Sequence, residues 1–462
     1  MRLTTINPAT EEPIQSYEAM SSEQIQHKVR ASKKAFVDWK KDYEKRKALI
    51  YDLVFFLRKN KTMLAEFATK EMGKVLKESI SEVEKCAWAM EYYADHGSTF
   101  IHEELLNTDA RKSFIRFEPL GVVASIMPWN FPYWQALRFA APCLMAGNTI
   151  VMKPSSVTLQ CGLELEKAFL EIGFPEGAFQ TIVGSSESAN HLIDSDVSAV
   201  TFTGSTKIGA SVGQRAASQL KKCVLELGGS DPFIVLDDAN VDKAANGAVK
   251  GRFINCGQSC IASKRFFISK KVANDFIEKF IYNTSRLTVG DPMQIESDIG
   301  PLVNKEALEN ISGMVDDAKS KGATILLGGE RAHSKGYFYK PTIISGVKPD
   351  MRIATEETFG PIAPITIVED EKEAIKLANN SEFGLGASIW TENLNKAEAL
   401  SRQIESGIVT VNNVVISDPR VPFGGIKQSG FGRELSRYGM LEFVNIKSVR
   451  FYDNLIHHHY VE

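Results

Sequence analysis

The residue pair best suited to do chemistry in this chain is Cys260, which closes NCGQSC (255–260), and Glu226, which heads ELGGSDP (226–232). A thiol nucleophile and a separate general base are the two groups needed to form a thioester and then hydrolyse it. Gly228 and Gly229 behind the glutamate, and Gly257 ahead of the cysteine, leave the backbone open to close approach. Each residue also has a plain structural reading. A lone cysteine serves as a small buried hydrophobe, and a glutamate before Gly-Gly serves as an exposed charge at a strand end.

These groups must be held by a scaffold, and its periodicity is readable. Ser21 or Ser22 caps an opening helix in which Ile25, Val29, Ser32, Phe36 and Trp39 share one face. From residue 120 onward strands alternate with helices. GVVASIMP (121–128), NTIVMKP (148–154), FQTIVG (179–184), AVTFTG (199–204) and KCVLELGG (222–229) read as strands, separated by amphipathic stretches such as 163–173 and 206–220. This alternation predicts parallel βαβ units in a doubly wound sheet, whose ligands bind beyond the carboxyl ends of the strands. Asn130, Lys153, Gly204 and Glu226 fall at those ends. A second α/β unit follows, with strands expected at 265–269, 324–329, 363–369 and 407–413. Two further segments, 112–121 and 445–454, read as basic, aromatic strands. They fit either a docking edge for another subunit or a peripheral hairpin.

FTGSTKIG (202–209) is a turn from strand into helix whose backbone N–H groups suit a dinucleotide phosphate, although it is not a G-x-G-x-x-G sequence and also fits an ordinary turn. At the end of NTIVMKP, Lys153 is followed by Ser155 and Ser156 with no acid nearby. A carboxylate there would bind a ribose 2′-hydroxyl, whereas a cation with hydroxyls accommodates a 2′-phosphate. If this is the ribose site, NADP is favoured over NAD.

The bulk composition narrows the function classes. At 462 residues, with 44% hydrophobic and 24% charged side chains, the chain reads as a soluble globular protein of two or three domains. A net charge of -3 leaves no electrostatic footprint for nucleic acid. No apolar run is long enough for a membrane span, and the first residues lack the pattern of a signal peptide, so a cytoplasmic location is expected. The 6 cysteines show no disulfide or zinc spacing, and no metal is implied. His457, His458 and His459 form a tail cluster that reads as an exposed polar end.

Seven segments together resemble the aldehyde dehydrogenase superfamily: PWNFP (128–132), KP (153–154), FTGSTKIG (202–209), ELGGSDP (226–232), NCGQSC (255–260), EETFGP (356–361) and PFGGIKQSGFGRE (422–434). They occur in the family order across most of the chain. The resemblance implies an α/β fold with a doubly wound NAD(P)-binding domain over 1–106 and 122–229. It further implies an α/β catalytic domain over 230–428, small β oligomerisation segments at 107–121 and 444–462, and a return to the cofactor domain over 429–443. A homodimer or homotetramer is expected.

The resemblance also assigns roles. Cys260 is implied as the nucleophile, the Asn130 amide and the Cys260 backbone N–H as the oxyanion donors, and Glu226 as the base that activates the hydrolytic water. Glu357 and Phe359 are placed at the nicotinamide end. Gly204 and Ser205 are placed at the pyrophosphate, and Trp129 and Lys153 beside the adenosine ribose. Ser155, Ser156, Gly184 and Leu227 complete the cofactor contacts. Ser156 departs from the Glu common in NAD-preferring members, which strengthens the NADP reading with NAD still open.

Substrate class rests on Arg138 and Ser417. Arg138 lies six residues beyond the second proline of PWNFP, on a helix expected to line the aldehyde tunnel. Succinate-semialdehyde members of the superfamily resemble this chain in carrying Arg there and a serine at the position of Ser417. A guanidinium and a hydroxyl can together hold a terminal carboxylate, with Arg420 a second anionic contact. The competing reading pairs Arg138 with a protein acid such as Asp418. The expected substrate is a short aldehyde with a terminal carboxylate, succinate semialdehyde first, and other short aldehydes next. A cofactor-free Cys–Glu thioesterase is a more remote reading, since it leaves the nucleotide-site residues idle. Cys256, four residues before the nucleophile, is read as a packing residue; a redox role for it would need better disulfide geometry than one helical turn provides.

Overall fold

The computed structural model describes residues 1–452; the tail histidines and the last residues of the expected C-terminal strand lie outside the described residues. The opening helix runs Ser22–Trp39 and is capped by Ser21 in a reciprocal box with Gln24. Ile25, Val29, Ser32 and Trp39 form its buried face, with Phe36 at the margin. Two long helices, Tyr43–Met72 and Leu76–Phe100, pack against each other and against Pro132–Met145, so the segment after PWNFP is buried along its whole length.

The expected doubly wound sheet is present. Its six strands run in the order Gly430–Phe431, Lys222–Glu226, Ala199–Thr203, Val122–Ile126, Thr149–Lys153 and Phe179–Thr181. All neighbours are parallel except the first pair. The inner strands are apolar on both faces because helices cover both sides, which explains their continuous rather than alternating hydrophobic runs.

A second sheet of seven strands is ordered Thr324–Leu327, Thr342–Ser345, Ile362–Val368, Ser263–Ser269, Asp231–Val235, Gly386–Trp390 and Ile408–Val411. Only its first pair is antiparallel. Three of these strands, Asp231–Val235, Thr342–Ser345 and Gly386–Trp390, were not expected from the sequence. Pro232 argues against an inner strand. The ladder accommodates it by a register shift between Asp231 and Pro232, at the strand's first residues.

Lys112–Pro119 pairs antiparallel with Val444–Phe451 over eight residues, and Glu104–Leu106 adds a third strand. An N-terminal hairpin of Arg2–Ile6 and Pro13–Glu18, unforeseen in the sequence, completes the main sheets. Among the described residues no helix is long and apolar enough to cross a membrane.

Candidate active site

The nucleophile loop leaves the helix Val241–Phe253 through a short 3₁₀ turn, Ile254–Gly257. Asn255 and Cys256 sit in the left-handed region, with φ of 51° and 55°. Such residues cost about 1–3 kcal/mol each and persist only where surroundings impose them. Here Asn255 is fixed on three sides. Its backbone N–H donates to Glu78 at 2.9 Å, and its side-chain amide donates to the carbonyls of Asn130 at 2.8 Å and Gln258 at 3.2 Å. Gly257 has φ of +74°, and a β-carbon there would lie 2.3 Å from the Gly360 carbonyl oxygen. The buried Arg252 guanidinium closes the loop by donating to the carbonyls of Gly257, Thr358 and Gly360. The loop therefore does not carry Cys256 and Cys260 on consecutive helical turns. Cys256 is buried in the core with Phe253 and Phe266, a packing position.

Cys260 is partly exposed at the wall of a cavity of about 450 Å³. Burial pushes its thiol up to about 11, while Arg138 and Lys264 draw it back. The resting thiol is therefore protonated at neutral pH. Lys264 was not singled out in the sequence, yet it organises this centre. Its ammonium donates to the Cys260 carbonyl at 2.8 Å, the Gly229 carbonyl at 2.7 Å and the Glu357 carboxylate at 2.7 Å. Gly229 allows the approach, because a β-carbon there would lie 2.7 Å from the Cys260 carbonyl oxygen. The Gly229 N–H in turn donates to Glu357 at 3.1 Å. The ELGG, NCGQSC and EETFGP segments are thus one hydrogen-bonded unit.

Asn130 is buried beside the loop, and its side-chain nitrogen donates to the Gln258 carbonyl at 3.1 Å. An amide nitrogen carries two hydrogens, so one donor remains for an oxyanion.

Glu226 ends its strand with 2% of its surface exposed, which removes the reading of an exposed strand-end charge. Neither carboxylate oxygen has a hydrogen-bond partner among the described residues. A β-carbon at Gly424 would lie 2.7 Å from Oε1, which locates the carboxylate beside the PFGG turn. It is not among the groups lining the Cys260 cavity. Burial pushes it well above the ordinary carboxylate range, and Glu434 adds to this while Arg138 and Arg433 oppose it. Such a group is a stronger base than a solvated carboxylate once it loses its proton.

Arg138 lines the cavity and is 1% exposed. Its Nε faces the Glu434 carboxylate in an ion pair buried on both sides, and its guanidinium lies 4.5 Å over the Phe423 ring. The acid partner weighed in the sequence, Asp418, is engaged elsewhere: Arg420 donates to it through Nε at 2.9 Å. Arg420 is therefore already paired and largely exposed. Ser417 is buried, lines the cavity and accepts from Lys85 Nζ at 2.7 Å. Arg138 and Ser417 thus share a cavity with Cys260; Glu434 faces the arginine at Nε, while Nη2 is buried with no hydrogen-bond partner among the described residues.

On the other side of the loop, Trp129 and Phe359 meet edge to face with ring centres 5.8 Å apart. Lys153 is buried at its strand end, and no hydrogen bond or carboxylate engages its ammonium among the described residues. Burial lowers it to about 8. Ser155 accepts from the Val157 N–H at 3.2 Å, and Ser156 is exposed next to it. The helix Thr206–Ala217 starts at Ser205 with no side-chain cap among the described residues, and the Gly204 N–H donates to the Glu226 carbonyl at 3.0 Å. Gly184 is buried against Ser188, and Leu227 packs over Gly209. An unpaired buried cation, neighbouring hydroxyls and an uncapped helix N-terminus fit a dinucleotide carrying a 2′-phosphate.

The aldehyde dehydrogenase family profile matches residues 1–449. The chain belongs to the aldehyde dehydrogenase family. It is 44% identical over 451 residues to the probable succinate-semialdehyde dehydrogenase [NADP(+)] of Synechocystis sp., covering 97% of this chain and 99% of the relative. It is 39% identical over 449 residues to the succinate semialdehyde dehydrogenase [NAD(P)+] of Escherichia coli, covering 96% and 97% of the two chains. The crystal structure of succinic semialdehyde dehydrogenase from Streptococcus pyogenes in complex with NADP+ superposes with a TM-score of 0.95 at 35% identity, covering 98% of this chain and 100% of that one. As an aldehyde dehydrogenase, the chain carries its family motifs on the elements described above.

Lys264, Arg252 and Glu434 escaped the sequence reading. Glu434 lay within a quoted motif, and its buried partner could not be assigned without the fold. Lys264 follows the nucleophile at a spacing that carries no signal, because its three acceptors come from distant segments.

Proposed function

We propose that this aldehyde dehydrogenase oxidises succinate semialdehyde to succinate with NADP, NAD being the second cofactor. The observation that carries the reading is the joint lining of one small cavity by the Cys260 thiol and the polar side chains Arg138 and Ser417, against otherwise largely apolar walls. The named relatives act on the same aldehyde.

The bound cofactor supplies the hydride acceptor. Trp129, Lys153, Ser155, Ser156, Gly184, Gly204, Ser205, Leu227, Glu357 and Phe359 are proposed to hold it. The chain's own residues do the rest. Cys260 gives its thiol proton to water in the cavity as its sulfur adds to the aldehyde carbon, and the Asn130 amide with the Cys260 N–H takes up the developing oxyanion. After oxidation Cys260 holds the succinyl group as a thioester. Glu226 then accepts a proton from the water that hydrolyses it. To do so its carboxylate must turn from Gly424 toward the thioester. Arg138, facing Glu434 through Nε, fixes that carboxyl group near Glu226 and opposes the upward push that burial gives it.

A steady-state panel of short linear aldehydes, with and without a terminal carboxylate, against both cofactors tests the reading. Succinate semialdehyde with NADP should give the highest kcat/KM. Equal kcat/KM for butanal would overturn it.

The domain limits 1–106 with 122–229, 230–428 and 429–443 are proposed as the cofactor, catalytic and return segments. The three-stranded sheet of 104–106, 112–119 and 444–451 is proposed as a homodimer or tetramer edge; Leu105, Ile446 and Phe451 are exposed on it. A cytoplasmic location is proposed from the six free thiols.

A further inference from the structure

We propose that Glu78 is a positioning residue for the oxidation: with Glu82 it sets the register between the two oxyanion donors, the Asn130 amide and the Cys260 backbone N–H. The inference goes beyond the succinate-semialdehyde reading and rests only on its assignment of those two donors. Glu78 and Glu82 stand one turn apart on the helix Leu76–Phe100. Glu82 accepts from the N–H groups of Tyr133 at 2.9 Å and Trp134 at 2.8 Å, at the start of the helix that follows Asn130. Glu78 accepts from the Asn255 N–H at 2.9 Å, at the head of the loop that ends in Cys260. One helix face thereby holds both segments.

Asn255 is the joint between them. Its side-chain amide donates to the carbonyls of Asn130 and Gln258, and the Asn130 side chain donates to the same Gln258 carbonyl. A turn of Asn255 would therefore move Asn130 and the nucleophile loop together. The preceding helix does not fix its direction, because that helix ends at Phe253 and both Asn255 and Cys256 have positive φ. Were the helix to continue, the Asn255 N–H would donate to the Gly251 carbonyl four residues back. Glu78 takes that donor instead from 177 residues away. A charge-assisted bond of this kind is roughly twice as strong as a neutral one.

The other uses of this carboxylate are weaker. Of the lysines near it, Lys74 pairs with Glu82 and Lys77 with Asp298. Glu78 also lines the cavity that holds Cys260, where a carboxylate opposes an anionic aldehyde, so substrate binding does not account for it. The Asn255 N–H does. Burial pushes Glu78 up to about 7, with Lys74 drawing it back. Either protonation state keeps an oxygen that can accept from Asn255.

The test uses the full-length enzyme with NADP and three variants of similar shape. Glu78→Gln keeps the reach and an acceptor oxygen but loses the charge. Glu78→Met keeps the length and loses the oxygen, and Glu78→Asp keeps the charge but falls one methylene short. In the Met and Asp variants kcat should fall about a hundredfold for succinate semialdehyde and butanal alike, with KM for NADP within about twofold of wild type. Glu78→Gln should restore kcat to at least about a third of wild type, because the hydrogen bond survives. NADP binding, read by tryptophan fluorescence, shows that each variant is folded. Wild-type kcat in Glu78→Met overturns the assignment, as does a change confined to KM for the aldehyde or an active Asp variant beside an impaired Gln variant. Cys260→Ala separates the two readings: turnover that survives in it overturns the nucleophile and the Glu78 assignment with it. An inactive Cys260→Ala beside a fully active Glu78→Met overturns the Glu78 assignment alone.

Discussion

Replacing Arg138 tests whether this arginine belongs to the protein's own charge balance. Its side chain is 2% exposed and that of Glu434 1%, so neither charge is offset by water. Breaking a buried pair by removing one partner costs about 3–5 kcal/mol, because the remaining charge is uncompensated. Arg138→Met should reach that range, since it also loses the stacking on Phe423. Glu434→Gln should cost a similar amount by stranding the guanidinium. The double variant should be less damaging than the sum by at least about 2 kcal/mol, because two neutral side chains of similar volume need no partner. Urea unfolding of the four proteins at neutral pH, read by far-UV circular dichroism, gives the coupling. The kinetic signature differs from that of an anchor: Arg138→Met should lower kcat for succinate semialdehyde and butanal alike, through the disturbed chamber around Glu226. Destabilisation below about 1 kcal/mol, with a KM rise confined to succinate semialdehyde, would refute this reasoning and return Arg138 to the substrate.

Other variants probe separate parts of the account. Ser156→Glu combined with Lys153→Ala should move the cofactor preference from NADP toward NAD by at least about tenfold in the ratio of kcat/KM values, since a carboxylate repels a 2′-phosphate and accepts a 2′-hydroxyl; an unchanged ratio would remove these residues from the ribose site. Gly229→Ala places a methyl group 2.7 Å from the Cys260 carbonyl oxygen, so kcat should fall about a hundredfold as the nucleophile shifts. Normal activity in that variant would show that the Gly229–Cys260 approach is dispensable.

Much of the architecture was legible because it is local. Alternating apolar runs and amphipathic stretches located the five parallel strands of the doubly wound sheet, and Ser21 or Ser22 marked the first helix start, which the structure assigns to Ser21. Glu226, Lys153 and Gly204 could be placed at strand ends from periodicity alone. What stayed hidden depends on distant segments. Asp231–Val235 was masked by Pro232, which only a register shift admits to the sheet. Lys264 gains its importance from the carbonyls of Gly229 and Cys260 and the carboxylate of Glu357, three groups that meet only in the folded chain. The partner of Arg138 was hidden for the same reason. Asp418 is nearer to Ser417 in sequence, but a neighbouring arginine, Arg420, holds it. Lys85 sits on a helix far from any motif, and its relation to Ser417 spans most of the chain.

The central claim is that Cys260 holds the acyl group and Glu226 releases it. Glu226→Gln enzyme mixed with excess succinate semialdehyde and NADP should form about one equivalent of reduced cofactor per Cys260 in a rapid burst and then stall. Mass spectrometry of the quenched protein should find one succinyl group on the peptide containing Cys260. Uninterrupted turnover at the wild-type rate, or a burst with no acyl group on that cysteine, would contradict the account.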